Sequence, residues 1–105
     1  MSSNSLPNHY QAIQAASRSL KFQQISEDEV GVLLRLLVSS KPKAKVLELG
    51  TGTGMGLAWI ADGLDTEGEL ISVEKDPTLL DIARQFFGED PRIQLVNEEA
   101  SSWIE

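Results

Sequence analysis

Three glycines at alternating positions are the residues of this sequence best suited to hold a ligand. Gly50, Gly52 and Gly54 follow the apolar run Val46–Leu49, where a strand is expected to turn into a helix. A residue without a Cβ lets the backbone turn sharply and approach a ligand closely, and the N-terminus of the following helix offers unpaired N–H groups. The pattern G-x-G-x-G therefore predicts a ligand cradle at the carboxyl end of a strand.

The spacing of the glycines limits which ligand the cradle can hold. A phosphate-binding P-loop requires a lysine followed by Ser or Thr after its second glycine, and no such pair follows here. The dinucleotide fingerprint G-x-G-x-x-G, begun at Gly50, would need Gly or Ala where the chain has Met55. A flexible turn without a ligand is the alternative that the glycines alone leave open.

Acidic side chains near the glycines favour a ligand site over a simple turn. Glu74 ends a second apolar run, 20 residues after Gly54, and an acid at that distance can accept the hydroxyls of a ribose. Glu48 lies inside the first run, where a buried carboxylate needs a cation or N–H donors, such as a lysine or backbone amides. After a third run, Asn97, Glu98 and Glu99 either bind the edge of a base or form a solvated loop.

Strands and helices that alternate along the chain must position these residues. Apolar runs predict strands over Lys45–Leu49, Leu70–Glu74 and Arg92–Val96, with helical patterns between them over Met55–Asp62 and Pro77–Phe87. Asp76 is expected to cap the second of these helices, which has proline in its first turn. This alternation is typical of an α/β fold with a parallel sheet and right-handed crossovers.

Two further helices are expected before the first strand. His9–Leu20 shows a weak helical pattern, and Ser26 with Glu29 fits a capping box at the start of a clearer helix. In that second helix the apolar residues recur at helical spacing and predict one apolar face, formed by Val30, Leu33, Leu34, Leu37 and Val38.

Composition and charge exclude several classes of function. The 105 residues carry 16 acidic and 9 basic side chains, and thirteen of the acids lie in residues 46–105. This balance argues against binding to nucleic acid or to an anionic membrane. The absence of cysteine excludes disulfides and thiolate metal sites, and no metal ligand can be named. The single histidine, His9, is expected on the surface. No apolar run reaches the ~18–20 residues of a membrane helix, and we expect a cytoplasmic protein.

The segment ELGTGTGMG, preceded by KVL and followed by ISVEKD, resembles the class I S-adenosylmethionine-dependent methyltransferases. The preceding helix, ISEDEVGVLLRLL, is similar to that of O-methyltransferases of the catechol and caffeoyl-coenzyme A type. The resemblance covers residues 25–101. It implies a partial Rossmann-like, doubly wound parallel sheet of three strands with N-terminal helices. It also implies S-adenosylmethionine as the cofactor and the O-methylation of a small molecule as the reaction.

The resemblance assigns a role to each matching residue. The three glycines would line the methionine and ribose parts of the cofactor, Glu48 would face its amino group, and Glu74 would hold the ribose hydroxyls. Lys75 would flank the adenine. Glu99, in Glu-Glu-Ala where the family often has Gly-Asp-Ala, would accept from the adenine amino group. The implied cofactor-binding residues are Glu48, Gly50, Thr51, Gly52, Thr53, Gly54, Glu74, Lys75 and Glu99.

By the same resemblance, the chain corresponds to the N-terminal half of a larger domain. Residues 1–24 are expected to form a tail and a weak helix, and residues 25–105 the first half of the cofactor-binding domain. The family's catalytic and metal-binding positions lie beyond it, so the catalytic residues are unknown and the chain alone is expected to be inactive. Since the first strand is central in related folds, Val46–Leu49 would present an unpaired apolar edge and associate with itself or another chain.

Two other functions remain open at this point. The first is a nicotinamide-dependent oxidoreductase fragment, which Glu74 fits and Met55 opposes. The second is a binding or assembly module that keeps the cradle without chemistry.

Overall fold

The computed structural model describes residues 5–19 and 28–103. Within them the chain alternates helices and strands in the predicted order, and each strand and inter-strand helix ends within one residue of its predicted bounds. This confirms the α/β fold class. The elements are α1 (Tyr10–Ser19), α2 (Asp28–Ser39), β1 (Lys45–Leu49), α3 (Met55–Gly63), β2 (Glu69–Val73), α4 (Pro77–Phe87), β3 (Ile93–Val96) and a 3-10 helix (Ala100–Trp103).

The three strands form a parallel sheet in the order β1-β2-β3. Leu47 of β1 lies level with Ile71 of β2, and Leu70 of β2 lies level with Ile93 of β3. Because the strands run in the same direction, the loops that leave their carboxyl ends meet at one end of the sheet. Ligands bind at this end in open α/β sheets, and the predicted site residues follow or end these strands.

Among the described residues, one face of the sheet packs against the helices, whereas the other face is exposed at β1. Val46 and Ile93 contact a core built around α3, whose Leu57 and Trp59 are almost completely buried. The side chains of Leu47 and Leu49, which alternate with these along β1, keep 45% and 40% of their surface exposed. No strand of the described residues pairs with the outer side of β1, so β1 is an apolar edge strand.

The apolar face predicted for α2 is only partly correct. Val38 is buried, but Leu33 and Leu37 are 55% and 57% exposed, and Val30 is exposed as well. The helix packs on α3 through a neighbouring face, formed by Gly31, Arg35 and Val38. This face was missed because α2 carries apolar residues on more than one side, so periodicity alone does not select the side that is buried.

The first helix is docked onto the core. Ile13 of α1 is fully buried, and the ring of Tyr10 meets Trp59 edge-on with the centroids 6.1 Å apart. The Tyr10 hydroxyl also donates to Asp28 at the start of α2 (2.6 Å). Thus α1 is tied to both α2 and α3. Leu20 and Ser26, which belonged to the predicted helix and capping box, lie outside the described residues.

A buried cation joins α2 to α3. The Arg35 guanidinium donates to the Asp62 carboxylate (2.8 Å) and to the Ser5 carbonyl oxygen (2.7 Å). Its central carbon lies 4.8 Å from the centroid of the Trp59 ring. Arg35 is only 6% exposed, so these partners replace the water that the charge has lost.

The Arg35→Ala substitution is expected to lower the free energy of unfolding by about 3 kcal/mol, because it removes the cation paired with the partly buried Asp62. Urea denaturation followed by circular dichroism measures the loss. Arg84→Ala is the control, since the Arg84–Asp81 pair is exposed and should contribute less than about 0.5 kcal/mol. Equal losses in the two variants would contradict this account of the helix pairing.

Candidate functional site

The candidate site begins at the loop from Gly50 to Gly54, called here the glycine loop, which joins β1 to α3. Its three glycines adopt positive φ angles of 89°, 58° and 107° in chain order, a region that side chains with a Cβ disfavour. The amides of Gly50 and Thr51 both donate to the carbonyl oxygen of Val73, at 2.8 and 3.2 Å. The loop therefore turns across the carboxyl end of β2 before α3 begins.

The first and last of these glycines differ in what surrounds them. A Cβ on Gly50 would meet no protein atom within 4 Å, so this part of the backbone faces open space. A Cβ on Gly54 would lie 3.2 Å from Phe87 in α4. Gly50 thus leaves room for a ligand, whereas Gly54 allows α3 and α4 to approach each other.

Glu74 connects the glycine loop to the loop after β2. One carboxylate oxygen accepts from the amide of Gly52 (2.8 Å) and the other accepts from the amide of Asp76 (3.0 Å). The side-chain amide of Asn97 donates to the carbonyl oxygens of Glu74 and Lys75 (2.9 and 3.0 Å). The loop after β3 is therefore connected to the loop after β2. Asp76 caps α4 as predicted, accepting from the amide of Thr78 at 2.9 Å.

A cavity of about 180 Å³ opens between these loops. Its volume is below the ~300–1,000 Å³ of typical ligand pockets, so it can enclose only part of a cofactor-sized molecule. Four of the predicted site residues line it together, on three different connections. The lining residues are Gly50, Val73, Glu74, Lys75, Glu99 and Ala100.

Glu48 does not line this cavity and lies on the side of β1 that faces the helices. Its carboxylate accepts from the hydroxyl of Ser72, which lies level with it on β2, at 2.6 Å. Burial raises the pKa of the Glu48 carboxyl to about 7; the Ser72 hydrogen bond opposes this shift and the charge of Glu74 adds to it. Near neutral pH, Glu48 therefore exists in both protonation states.

The two threonines of the glycine loop do not line the cavity, and their hydroxyls have other partners. The Thr51 hydroxyl lies 2.6 Å from that of Ser72, and the Thr53 hydroxyl lies 2.6 Å from that of Ser17 in α1. Both threonines are almost fully buried. Their predicted contact with a cofactor therefore has to come from backbone atoms.

The sequence reasoning missed the two serines. Ser72 could have been found, because the alternation along β2 places it on the same face as Glu48. Ser17 is 36 residues from its partner, and no local pattern marks it. Glu98, grouped earlier with Glu99, accepts from the indole N–H of Trp103 (2.8 Å) and does not line the cavity.

Three further features of the described residues bear on function: the environment of His9, the grouping of possible metal ligands and the length of the helices. His9 is exposed as predicted, and its ring packs on Phe86 and Phe87 with centroids 5.4 and 5.5 Å away. Within residues 5–19 and 28–103, no group of three or more His, Cys, Asp or Glu side chains is placed to hold a metal ion. The helices in this part of the chain are all too short or too polar to cross a bilayer.

Comparison with known families identifies the chain. The family Protein-L-isoaspartate(D-aspartate) O-methyltransferase (PCMT) matches residues 4–99. A curated relative from Mycobacterium tuberculosis, named Probable O-methyltransferase Rv1220c, is 38% identical over 60 residues, which cover 57% of this chain and 27% of the relative. The chain therefore belongs to the PCMT family, and the predicted resemblance to O-methyltransferases is confirmed.

Solved structures share the fold. The O-methyltransferase from Bacillus cereus, in complex with SAH, superposes with a TM-score of 0.80 at 21% identity, over 94% of this chain and 47% of that one. TomG from Streptomyces achromogenes, an O-methyltransferase in complex with SAM, gives 0.76 at 21% identity, over 90% of this chain and 44% of that one. The chain spans about half the length of these structures, and the Rossmann-like architecture is confirmed.

The raised pKa of Glu48 predicts that stability falls as the pH rises from mildly acidic to neutral. The folded chain holds this proton up to about pH 7, whereas the unfolded chain releases it near 4.5. The free energy of unfolding should therefore fall as the pH rises from 5 to 8, by about 2.5 kcal/mol. In Glu48→Gln this component should vanish, making the variant more stable than the wild type at pH 8 but not at pH 5.

Urea denaturation at a series of pH values provides the measurement. Glu69→Gln is the control, because the Glu69 side chain is 67% exposed and should leave the pH dependence of wild type in place. Stability curves for Glu48→Gln and wild type that run parallel between pH 5 and 8 would contradict the assignment.

Proposed function

We propose that this member of the PCMT family binds S-adenosylmethionine at the carboxyl end of its sheet and serves the O-methylation of a small molecule. The observation that carries the proposal is the cavity where Gly50, Glu74, Lys75 and Glu99 meet. SAH and SAM are bound by the two neighbours of the same fold. S-adenosylmethionine supplies the methyl group, and the residues described here bind and orient it.

The residues at the cavity fit a nucleoside ligand. The open space beside Gly50 is the room that a Cβ would otherwise reduce. The Glu74 carboxylate is held in place by two amides and still has lone pairs for ribose hydroxyls. Lys75 and Glu99 line the same cavity and are proposed to flank the adenine, with Glu99 accepting from its amino group.

The glycine loop and Glu48 are proposed to hold the amino-acid end of the cofactor. Gly50 and Gly52 would do so through their backbones, as would Thr51 and Thr53, whose hydroxyls are engaged elsewhere. Gly54 shapes the start of α3. Glu48 is the acid proposed for the amino group. Glu48, Glu74 and Glu99 lie near the carboxyl ends of the three strands. Their negative charge also favours this cofactor, because its sulfonium is cationic.

The wider setting of this site is also part of the proposal. We take residues 25–105 as the first half of a cofactor-binding domain and residues 1–24 as the segment before it, in a cytoplasmic protein. Cofactor binding, rather than turnover, is the activity assigned to the described residues. The acceptor is proposed to be a small molecule with a hydroxyl group.

Titration calorimetry with SAH and with NAD should give heat for SAH alone. Glu74→Ala is expected to weaken SAH binding by at least about tenfold, because the ribose loses its acceptor and the glycine loop loses its support. Glu89→Ala, an exposed acid in the turn after α4, is the control and should bind as the wild type does.

The alternatives make different predictions in the same experiment. Heat with NAD alone would favour the oxidoreductase, for which Met55 at the third glycine position is the unfavourable feature. No heat with either ligand would favour an assembly module. Unchanged affinity of Glu74→Ala would remove the ribose role from Glu74.

We further propose that the chain associates with itself along β1. The outer side of β1 is unpaired within the described residues, and Leu47 and Leu49 are exposed beside it. An apolar edge strand is a template for pairing with another chain.

Sedimentation velocity over a range of concentrations should therefore show species larger than a monomer. Leu47→Lys combined with Leu49→Lys should shift the distribution toward the monomer, because charges on an edge strand oppose pairing. Leu6→Lys, at an exposed leucine far from β1 in sequence, is the control. A wild-type chain that remains a cooperatively melting monomer would overturn the proposal.

A further inference from the structure

We propose that Ser17 of α1 is a positioning residue for the cofactor: through Thr53 it holds the glycine loop in its binding conformation. The inference rests on the proposed function, because the loop that Ser17 holds is the one proposed to bind the cofactor. It adds a residue that lies outside the glycine motif and on the first helix of the chain.

The hydrogen bonds of Ser17 determine which group donates. Its hydroxyl donates to the carbonyl oxygen of Ile13, one turn earlier, at 2.8 Å. A serine has a single hydroxyl proton, so in the 2.6 Å contact with Thr53 the threonine is the donor and Ser17 the acceptor. The proton of Thr53 is thereby committed to α1.

Burial of the Ser17–Thr53 pair raises the cost of breaking its hydrogen bond. Ser17 and Thr53 are each 1% exposed, so water cannot replace either partner. Leaving a buried hydroxyl without a partner costs more free energy than a typical hydrogen bond contributes to stability. The loop should therefore rearrange, rather than leave Thr53 unpaired, when the Ser17 hydroxyl is removed.

The position of Thr53 connects this pair to the cradle. Thr53 lies between Gly52 and Gly54, which restrict the backbone least of all residues. The amide of Gly52, next to it, donates to the Glu74 carboxylate (2.8 Å). A shift of Thr53 would thus alter the support of the acid proposed to hold the ribose.

The helix that carries Ser17 is itself fixed. Ile13, one turn before it, is fully buried in the core, and Tyr10 contacts both Trp59 and Asp28. On the other side of the loop, Thr51 is held by Ser72 of β2 (2.6 Å). The glycine loop is therefore restrained from both sides, by the sheet at Thr51 and by α1 at Thr53.

Titration of SAH into wild type and Ser17→Ala tests the inference. Loss of one neutral hydrogen bond to the loop is expected to weaken binding about fivefold, at a temperature where both proteins are folded by circular dichroism. Ile13→Val is the matched control: it destabilises the same helix without touching the hydroxyl pair and should keep the wild-type affinity. Wild-type affinity in Ser17→Ala, or equal weakening in Ile13→Val, overturns the proposal.

A double-mutant cycle shows whether Ser17 acts through Thr53. Thr53→Val removes the donor with little change in shape, so Ser17→Ala combined with Thr53→Val should bind SAH no more weakly than Thr53→Val alone. Additive losses would overturn the assigned route.

Hydrogen exchange separates this inference from the proposed function. In the ligand-free chain, Ser17→Ala should speed exchange at the amides of Gly52 and Gly54, whereas Ile13→Val should not do so selectively. If the wild type binds no SAH, the proposed function fails, and the anchoring of the loop is decided by this measurement. Unchanged exchange at the loop in Ser17→Ala overturns the anchoring itself.

Discussion

The carboxylate of Glu74 is the interaction on which the candidate site depends. Parallel strands bring their carboxyl ends together, but nothing in a sheet fixes the loops that leave those ends. Glu74 joins two of these loops because its carboxylate accepts one hydrogen bond from each, from the amides of Gly52 and Asp76. A charge that is only 9% exposed requires such donors. The hydrogen bonds that satisfy the buried Glu74 therefore also fix the two loops that shape the cradle.

The buried hydroxyls extend this constraint in two directions. Glu48, Ser72 and Thr51 form one chain of contacts between β1, β2 and the glycine loop, and Thr53 continues from that loop to Ser17 in α1. The three glycines leave the loop backbone free to adopt unusual angles, whereas the two threonines between them limit that freedom. The alternation of glycine and threonine thus combines a permissive backbone with fixed side chains.

Sequence reasoning succeeded where the signal was local. The alternation of strands and helices, the cap at Asp76 and the glycine loop each depend on residues a few positions apart, and all were located correctly. The packed face of α2 was not, because Arg35 becomes a core residue only through Asp62 and Trp59, which are distant in sequence. Ser17 was missed for the same reason. Of the residues that line the cavity, Gly50, Glu74 and Glu99 were singled out by their type and spacing and Lys75 by the family resemblance. Their roles toward a cofactor stay predictions.

The two acids nearest the glycine loop, Glu48 and Glu74, differ in the hydrogen-bond donors that surround them. Glu74 has two amide donors, whereas Glu48 has one hydroxyl donor and lies within the field of Glu74. Burial therefore brings the pKa of Glu48 to about 7. A cation placed beside Glu48 would favour its ionised form, so that below pH 7 the arrival of a positively charged group and the release of a proton are linked.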